Sequence, residues 1–513
     1  MRDFPSSGRI CKTQKSREKT SEQTTGVPRV LIVSHSLYRA LEQIGATNHV
    51  LSGRFKKLIH SRPAKGEYIS LKWKGQMGNT ELFGKIFDCE CGKKHHIQPA
   101  TVVLSENAVE AMPLEIKRLD IGTSAVVLMD HRTQEVAGEA ILDALNRSGF
   151  RAMRNVVPDD SRGNSPVCDD VTKSALVSEI PQADFFVSVG SGVITDLAKW
   201  ISFDRNIPFV VFATAASMNG FTSANVAPTI KGLKTLVRAE PPRAVFSSPK
   251  VLCEAPYEMT ASGLGDILAK SVSSADWRLN NLLFGDYYCA RSVNLIADIE
   301  PLYLNHPQDI LNRRSSAIEA LFQGLLLTGA AMTMAETSSP SSGGEHLISH
   351  TLDMLTHIDG TPHDLHGRQV GVGTILAAEL YDRILRCESP TFGIPSDGID
   401  RDFWGVVADV VENDYRLKAP RLESAVSTLS TGNTWDALRK ELASLLRPPS
   451  VIHSCLSGAS AAYLPEHIGC SRERLLNVFL HAHEVRSRFT VLDLARLVGV
   501  LPSAAEEIID QWM

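Results

Sequence analysis

The sequence predicts an α/β protein, with a parallel sheet and its helices in the first half of the chain and an all-helical second half. Three observations predict it. Apolar runs at Ala125–Met129, Met153–Val157, Phe185–Val189 and Phe209–Phe212 have the length and the β-branched and aromatic content of strands buried on both faces. Helical patterns such as Gln134–Ser148 separate these runs, which is the order of parallel βαβ units. From Pro256 onward strand signals fade and helical periodicity dominates, at Ile318–Glu336, Leu347–His357, Leu438–Leu446 and Arg472–Val485. The expected boundaries are 1–84 for an N-terminal extension, 85–253 for the α/β domain and 254–513 for the helical domain.

Bulk properties agree with an enzyme of this build. A chain of 513 residues with 43% hydrophobic and 22% charged residues can bury more than one core, so two or more domains are expected. A net charge of −5 and a pI near 6.4 leave no broad basic field for nucleic acid. No run of about eighteen apolar residues stands out to cross a bilayer, so the expectation is a soluble, cytoplasmic protein with no membrane partner. The nine cysteines are scattered and odd in number, which suits a reducing compartment. Homo-oligomerisation is left open.

At the start of the chain, Arg2, Arg9, Lys12, Lys15, Arg17 and Lys19 lie among Ser and Thr with no apolar core of a secretory signal. This segment reads as a partly disordered tail. Between Arg29 and Gly84 the sequence carries no functional signal. The stretch Phe87-Asp-Cys89-Glu-Cys91-Gly92-Lys-Lys-His95-His96 invites a zinc reading, but Cys-x-Cys is tighter than the usual knuckle and no second half follows at standard spacing. A turn between two strands is the expectation.

The strand Phe185–Val189 ends in Gly190-Ser191-Gly192, and a helical pattern begins at once through Val193, Ile194, Thr195 and Asp196. Such a turn lets backbone approach a diphosphate whose charge faces the helix N-terminus. Thr195 occupies the third glycine position of the dinucleotide fingerprint, so the motif is incomplete, and a tight strand-to-helix turn would look the same. One strand later, the apolar run to Phe212 gives way to Thr214-Ala215-Ala216-Ser217-Met-Asn219-Gly220 and then Thr222-Ser223. The carboxyl end of a central parallel strand has this composition where it opens onto a ligand crevice, although a polar loop capping the next helix would share it.

In the helical half, Asp266, His346 and His366 each sit among small residues: Gly263-Leu-Gly265-Asp266, Gly343-Gly344-Glu345-His346 and Leu365-His366-Gly367. Singly, an Asp or His is more often a cap or a satisfied core polar group. Together, one carboxylate and two imidazoles hold a divalent metal and leave a position for a substrate oxygen. Spacing leaves the set open, since His346 and His350 share a helix face and His363 lies close to His366. His366 is favoured because Gly367 lets backbone crowd a metal. A non-haem iron oxygenase would use the same donor types but has no use for the nucleotide-type loop.

These pieces, with Ala275-Asp276-Trp277, Lys270, and Arg488-Phe-Thr-Val-Leu-Asp493-Leu near the end, resemble the sn-glycerol-1-phosphate dehydrogenases, including the bacterial AraM-type enzymes. That family lies within the dehydroquinate synthase-like and iron-containing alcohol dehydrogenase superfamily. The resemblance runs from about Phe87 to Leu501. It implies a Rossmann-like nucleotide domain followed by an all-helical metal-binding domain, the dehydroquinate synthase-like fold. It also implies that Asp130 contacts the adenosine part of NAD(H) or NADP(H), that Gly190 to Asp196 bind the diphosphate, and that Thr214, Ala215, Ala216, Ser217 and Ser223 line the nicotinamide. Asp266, His346 and His366 match the ligands of one divalent metal, zinc, nickel or iron, and His350 matches a substrate contact. One position departs: the family usually has Asp where this chain has Asn219, a residue that helps hold the substrate.

The implied reaction is the reversible reduction of dihydroxyacetone phosphate to sn-glycerol 1-phosphate, a step of phospholipid metabolism. The phosphate of such a substrate needs cationic partners, and Lys231, Lys234, Lys270 and Arg278 are unranked candidates. Rival readings are a dehydrogenase for another polyol or hydroxyketone, which Asn219 favours, a dehydroquinate synthase-like cyclase, and a non-catalytic nucleotide sensor.

Overall fold

Strands buried on both faces need helices above and below them, and that is what the chain builds. The computed structural model describes residues 83–513 apart from 161–162, 232, 363 and 396–397. The expectations for the N-terminal extension therefore fall almost wholly outside the described residues, as does the minority ligand His363.

Six strands form one parallel sheet in the order Thr101–Leu104, Ala244–Ser247, Phe209–Ala213, Phe185–Gly190, Ser124–Asp130 and Arg151–Val157. Phe185–Gly190 and Phe209–Ala213 are buried along their whole length, which is why they read as unbroken apolar runs. The four expected strands are present and one or two residues longer. Thr101–Leu104 and Ala244–Ser247 were not expected, because four residues carry too little pattern to separate from a loop. The single helix expected over Gln134–Ser148 is a short turn at His131–Thr133, a π-helical turn at Gln134–Gly138 and an α-helix at Glu139–Arg147.

Chain order decides where a ligand can sit. From Ser124–Asp130 the chain moves to the edge strand Arg151–Val157, then crosses back to pair Phe185–Gly190 with the other side of Ser124–Asp130. This reversal makes a topological switch point, and the carboxyl ends of the two diverging strands, Asp130 and Gly190, flank it.

After Ser247 the described residues form helices and no strand. The expected helical windows correspond to Ser315–Ala335, Gly344–Asp359, Thr434–Ala443 and Arg472–His481. One apolar core joins one face of the sheet to these helices, and a second lies between the other face and the helices Ala108–Leu119 and Glu139–Arg147. One expectation needs correction. Ser315–Ala335 is long and apolar enough to cross a membrane by length and composition, but 89% of its most apolar window is buried inside the protein. Its hydrophobicity all round is that of a central core helix, wrapped on every side by its neighbours.

Candidate active site

The helix Tyr257–Leu268 reaches its neighbours at backbone distance because it carries glycines where it crosses them. A Cβ on Gly263 would lie 1.9 Å from the Ala216 carbonyl oxygen, and one on Gly265 would lie 2.0 Å from that of Gly367. Any side chain at either position would push the helix away from the strand-end loop or from the helix His366–Arg386. The contact sets Asp266 between the two. Its carboxylate accepts hydrogen bonds from the Asn219 backbone N–H at 2.7 Å and from Asn219 Nδ2 at 2.9 Å.

His346 and His366 complete the cluster: one ligand atom from each of Asp266, His346 and His366 lies within 4.8 Å of the others. His346 Nε2 stands 3.7 Å from Asp266 Oδ1. Its Nδ1 is held by Glu345 Oε1 at 2.9 Å, and that oxygen also accepts from the Gly343 N–H at 2.7 Å. His366 Nδ1 meets Ser349 Oγ at 3.2 Å, and the Ser349 hydroxyl donates onward to Gln369 Oε1 at 2.9 Å. With that hydroxyl proton committed to Gln369, Ser349 accepts from His366, so the proton sits on Nδ1 and the lone pair on Nε2. Both imidazoles are thus turned to present Nε2 to one point.

Electrostatics favour a cation there. Burial pushes the Asp266 carboxyl up to about 6, opposed by His346 and the Asn219 N–H, and pushes Glu345 up to about 7. Burial lowers His346 to about 4, so its ring is neutral at physiological pH. A carboxylate that pays for its charge in an apolar setting, with the imidazoles of His346 and His366, forms a donor set suited to a borderline divalent ion such as zinc, nickel or iron. His350 lies outside the 4.8 Å set. Its ring stacks on His366 with centroids 5.8 Å apart, and its buried Nδ1 has no hydrogen-bond partner, so a polar atom beside the cluster is free to bond.

The nucleotide-type loop is tied to this cluster by hydrogen bonds. Ser191 caps the helix Gly192–Asp204 without a side-chain cap bond, and its hydroxyl contacts Ser217 Oγ instead. The Ser217 carbonyl accepts from Ser262 Oγ at 3.2 Å, and Ser262 Oγ accepts from the Gly367 N–H at 3.1 Å. A relay therefore runs from the Gly-Ser-Gly turn to the residue after His366. Thr214 N–H donates to the Gly190 carbonyl at 3.1 Å, holding the two strand ends together, and Ala215 and Ala216 are buried behind them. Gly190 cannot carry a side chain, since its Cβ would lie 2.7 Å from the Ile194 Cβ.

Other residues singled out in the sequence have structural settings. Thr195 is buried within 3.4 Å of Ser188 Oγ, and Val193 is half-buried beside it. Asp196 accepts from Lys199 Nζ and from the Ala227 N–H, both at 3.3 Å, so it braces the loop after Ser223. Ser223 Oγ lies 3.2 Å from the carbonyls of Gly220 and Asn225. Asp130 caps its own helix through Thr133. Lys270 is buried with Nζ on the Pro340 carbonyl at 2.9 Å, and Arg278 is paired with Glu441 at 2.9 Å, so both are committed elsewhere. Lys231 is exposed. Lys234 and Arg486 are cations whose charge bears on His350.

Sequence reading gave no role to the residues that hold the ligands in place. Glu345, Ser349 and Gln369 orient the two imidazoles, and only the adjacency of Glu345 to His346 gave any signal. Asp276 accepts from the N–H of Gly344 at 2.7 Å and of Val491 at 2.8 Å, and from the Tyr381 hydroxyl at 2.5 Å, fixing the start of the His346 helix. Burial and the neighbouring Glu345 push its carboxyl up to about 8.

Residues 103–256 match the family model of iron-containing alcohol dehydrogenases. The chain is 34% identical over 301 residues to a glycerol-1-phosphate dehydrogenase, designated for NAD(P)+, of Bacillus licheniformis, covering 58% of this chain and 74% of that protein. It is 29% identical to the Bacillus subtilis protein of the same name, covering 77% of this chain and 91% of that one. In fold it is similar to the glycerol dehydrogenase of Schizosaccharomyces pombe, with a TM-score of 0.54 at 19% identity over 80% of this chain and 91% of the other. The chain therefore belongs to the glycerol-1-phosphate dehydrogenase family, on the α/β fold of the iron-type alcohol dehydrogenases.

Proposed function

We propose that this protein is a metal-dependent NAD(P)H oxidoreductase that interconverts dihydroxyacetone phosphate and sn-glycerol 1-phosphate. The observation that carries the reading is the convergence of Asp266, His346 and His366 beside strand ends that suit a dinucleotide. In it, residues 85–253 carry the nucleotide and residues 254–513 supply the metal ligands, and the protein works in the cytoplasm. Asp266, His346 and His366 would hold one divalent ion, which when bound supplies Lewis-acid polarisation of a substrate oxygen. A nicotinamide cofactor supplies the hydride.

The remaining work falls to the chain. The Gly190-Ser191-Gly192 turn presents backbone at the N-terminus of Gly192–Asp204, where a diphosphate is favoured. Asp130, at the other strand end of the switch point, would contact the adenosine part of the cofactor. Glu345 and Ser349 keep the two imidazoles in one tautomer. His350 offers a buried ring nitrogen to a substrate hydroxyl. Lys234 and Arg486, whose charges bear on His350, would serve as cations for the substrate's phosphate.

A dehydrogenase for another polyol or hydroxyketone is the second reading, because Asn219 spends its side-chain N–H on Asp266 where a relative's Asp would accept from substrate. Steady-state NADH and NADPH oxidation with dihydroxyacetone phosphate, free dihydroxyacetone and related ketones, before and after metal removal, tests both. Metal-dependent turnover best with dihydroxyacetone phosphate is the expected outcome. No turnover of that substrate with any divalent metal and either cofactor would overturn the specific assignment.

A further inference from the structure

The turn between the first two described strands does more than reverse the chain. Ile86–Asp88 pairs with Lys94–His96 in an antiparallel hairpin, with Phe87 opposite His95. The turn closes through Gly92 N–H to the Cys89 carbonyl at 2.9 Å and Cys89 N–H to the Lys93 carbonyl at 3.0 Å, with Gly92 at a φ of +83°. That conformation brings Cys89 and Cys91 to one side of the hairpin. Strand alternation sends His95 to the same side, 2% exposed, and leaves His96 on the exposed face.

The fourth corner comes from far along the chain. Cys289, fully buried just before the helical turn Ala290–Val293, stands 3.8 Å from Cys89 Sγ and 3.7 Å from His95 Nε2. Cys91 Sγ lies 3.2 Å from His95 Nε2, and all four ligand atoms fall within 4.8 Å of one another. With zinc–sulfur bonds of about 2.3 Å and zinc–nitrogen bonds of about 2.0 Å, tetrahedral corners stand roughly 3.8 Å apart for two sulfurs and roughly 3.5 Å for sulfur and nitrogen. The three separations between Cys89 and Cys289, Cys289 and His95, and Cys91 and His95 lie within about 0.3 Å of those edges. They are far longer than the about 2.05 Å of a disulfide, and all three thiols are unbridged.

We propose that Cys89, Cys91, His95 and Cys289 form a closed structural zinc site, sharing no residue with the active-site cluster, that fastens the N-terminal hairpin to the helical half of the chain. Three thiolates and one imidazole fill a tetrahedral zinc and leave no position for substrate, which is the mark of a structural centre. The supporting groups are in place. Tyr287 OH stands 3.2 Å from Cys91 Sγ, and Tyr287 is itself held by Trp277 Nε1 donating to its carbonyl at 2.6 Å. Such outer hydrogen bonds orient thiolate ligands and temper their charge. Standard knuckle spacing hid the site because one of its four ligands, Cys289, lies about two hundred residues downstream.

The test separates this centre from the active-site metal. The Asp266→Asn, His346→Ala double variant removes the other donor set, and elemental analysis of that purified protein should still find about one zinc per chain. Adding Cys289→Ser should abolish that equivalent. Cobalt substituted into the double variant should show thiolate-to-metal charge-transfer absorption, lost with Cys289→Ser. Should the Cys289→Ser chain fail to fold, alkylation of the otherwise native protein decides: Cys89, Cys91 and Cys289 should resist a thiol reagent until a zinc chelator is added, then react together. A double variant without zinc, a Cys89–Cys289 disulfide in the freshly purified reduced protein, or three thiols that react equally with and without chelator would each overturn the proposal.

Discussion

Asn219 donates to both carboxylate oxygens of Asp266, through its backbone N–H at 2.7 Å and its side-chain amide at 2.9 Å. The pairing is chemically asymmetric. An amide can donate, whereas an ionised Asp at the same place can only accept and would set two carboxylates side by side in a buried pocket. Asn219→Asp should therefore weaken metal binding, by roughly tenfold or more for the loss of one hydrogen bond to a charged group. At saturating metal its kcat/KM for dihydroxyacetone phosphate should shift by no more than about two orders of magnitude. Metal titration of the apo variant checks the first part, and an unchanged dissociation constant would show that the amide does not hold Asp266.

Metal loading should depend on pH with a predictable sign. Burial holds the Asp266 carboxyl at about 6 in the metal-free protein, while His346, lowered to about 4, is already neutral there. Below about pH 6 an ion must displace the Asp266 proton, so affinity should fall by about tenfold per pH unit, and above it this term should level off. Competition titrations between pH 5 and 8 would read the slope. Affinity that rises steeply through pH 7 to 8 would mean that a different group controls binding.

Ligand orientation makes a separate prediction. Glu345 holds His346 Nδ1 and Ser349 stands against His366 Nδ1. Glu345→Gln and Ser349→Ala should each leave the fold intact and lower metal affinity by about 10- to 100-fold, as loss of an outer-shell partner does. His350→Ala should keep the metal, because that ring lies outside the ligand cluster, and should instead raise KM for the ketone. Loss of metal from His350→Ala at near-native stability would transfer the ligand role to it.

Elements whose cause is local were legible in the sequence, and those whose cause is distant were not. Phe185–Gly190 announced itself because burial on both faces forces a continuous apolar run. Asp266, His346 and His366 stood out because close backbone packing requires glycines beside them. Asp276 stood in a recognised motif but carried no legible role, since its partners Gly344, Tyr381 and Val491 lie 68, 105 and 215 residues away. The same holds for Cys289, whose meaning depends on a hairpin some two hundred residues upstream. The candidate phosphate partners Lys270 and Arg278 failed for a related reason: their charges are used by the Pro340 carbonyl and by Glu441, contacts that only the fold creates.

The backbone contact beside Asp266 yields the most direct structural prediction. An added Cβ on Gly265 would lie 2.0 Å from the Gly367 carbonyl oxygen and 3.2 Å from the Gly371 Cα, both backbone atoms that no rotamer change can move. Gly265→Ala must therefore separate the helices Tyr257–Leu268 and His366–Arg386, and with them Asp266 from His366. Overpacking of this kind costs about 1–3 kcal/mol, enough to lower the melting temperature by several degrees while the chain still folds. Metal affinity should fall with it, because the ligand atoms no longer converge. Gly393→Ala is the control, since nothing lies within 4 Å of its added Cβ, and it should change neither property. A Gly265→Ala protein with native melting temperature and native metal content would show that the two helices have room to spare, and that their close approach is not what sets the ligand geometry.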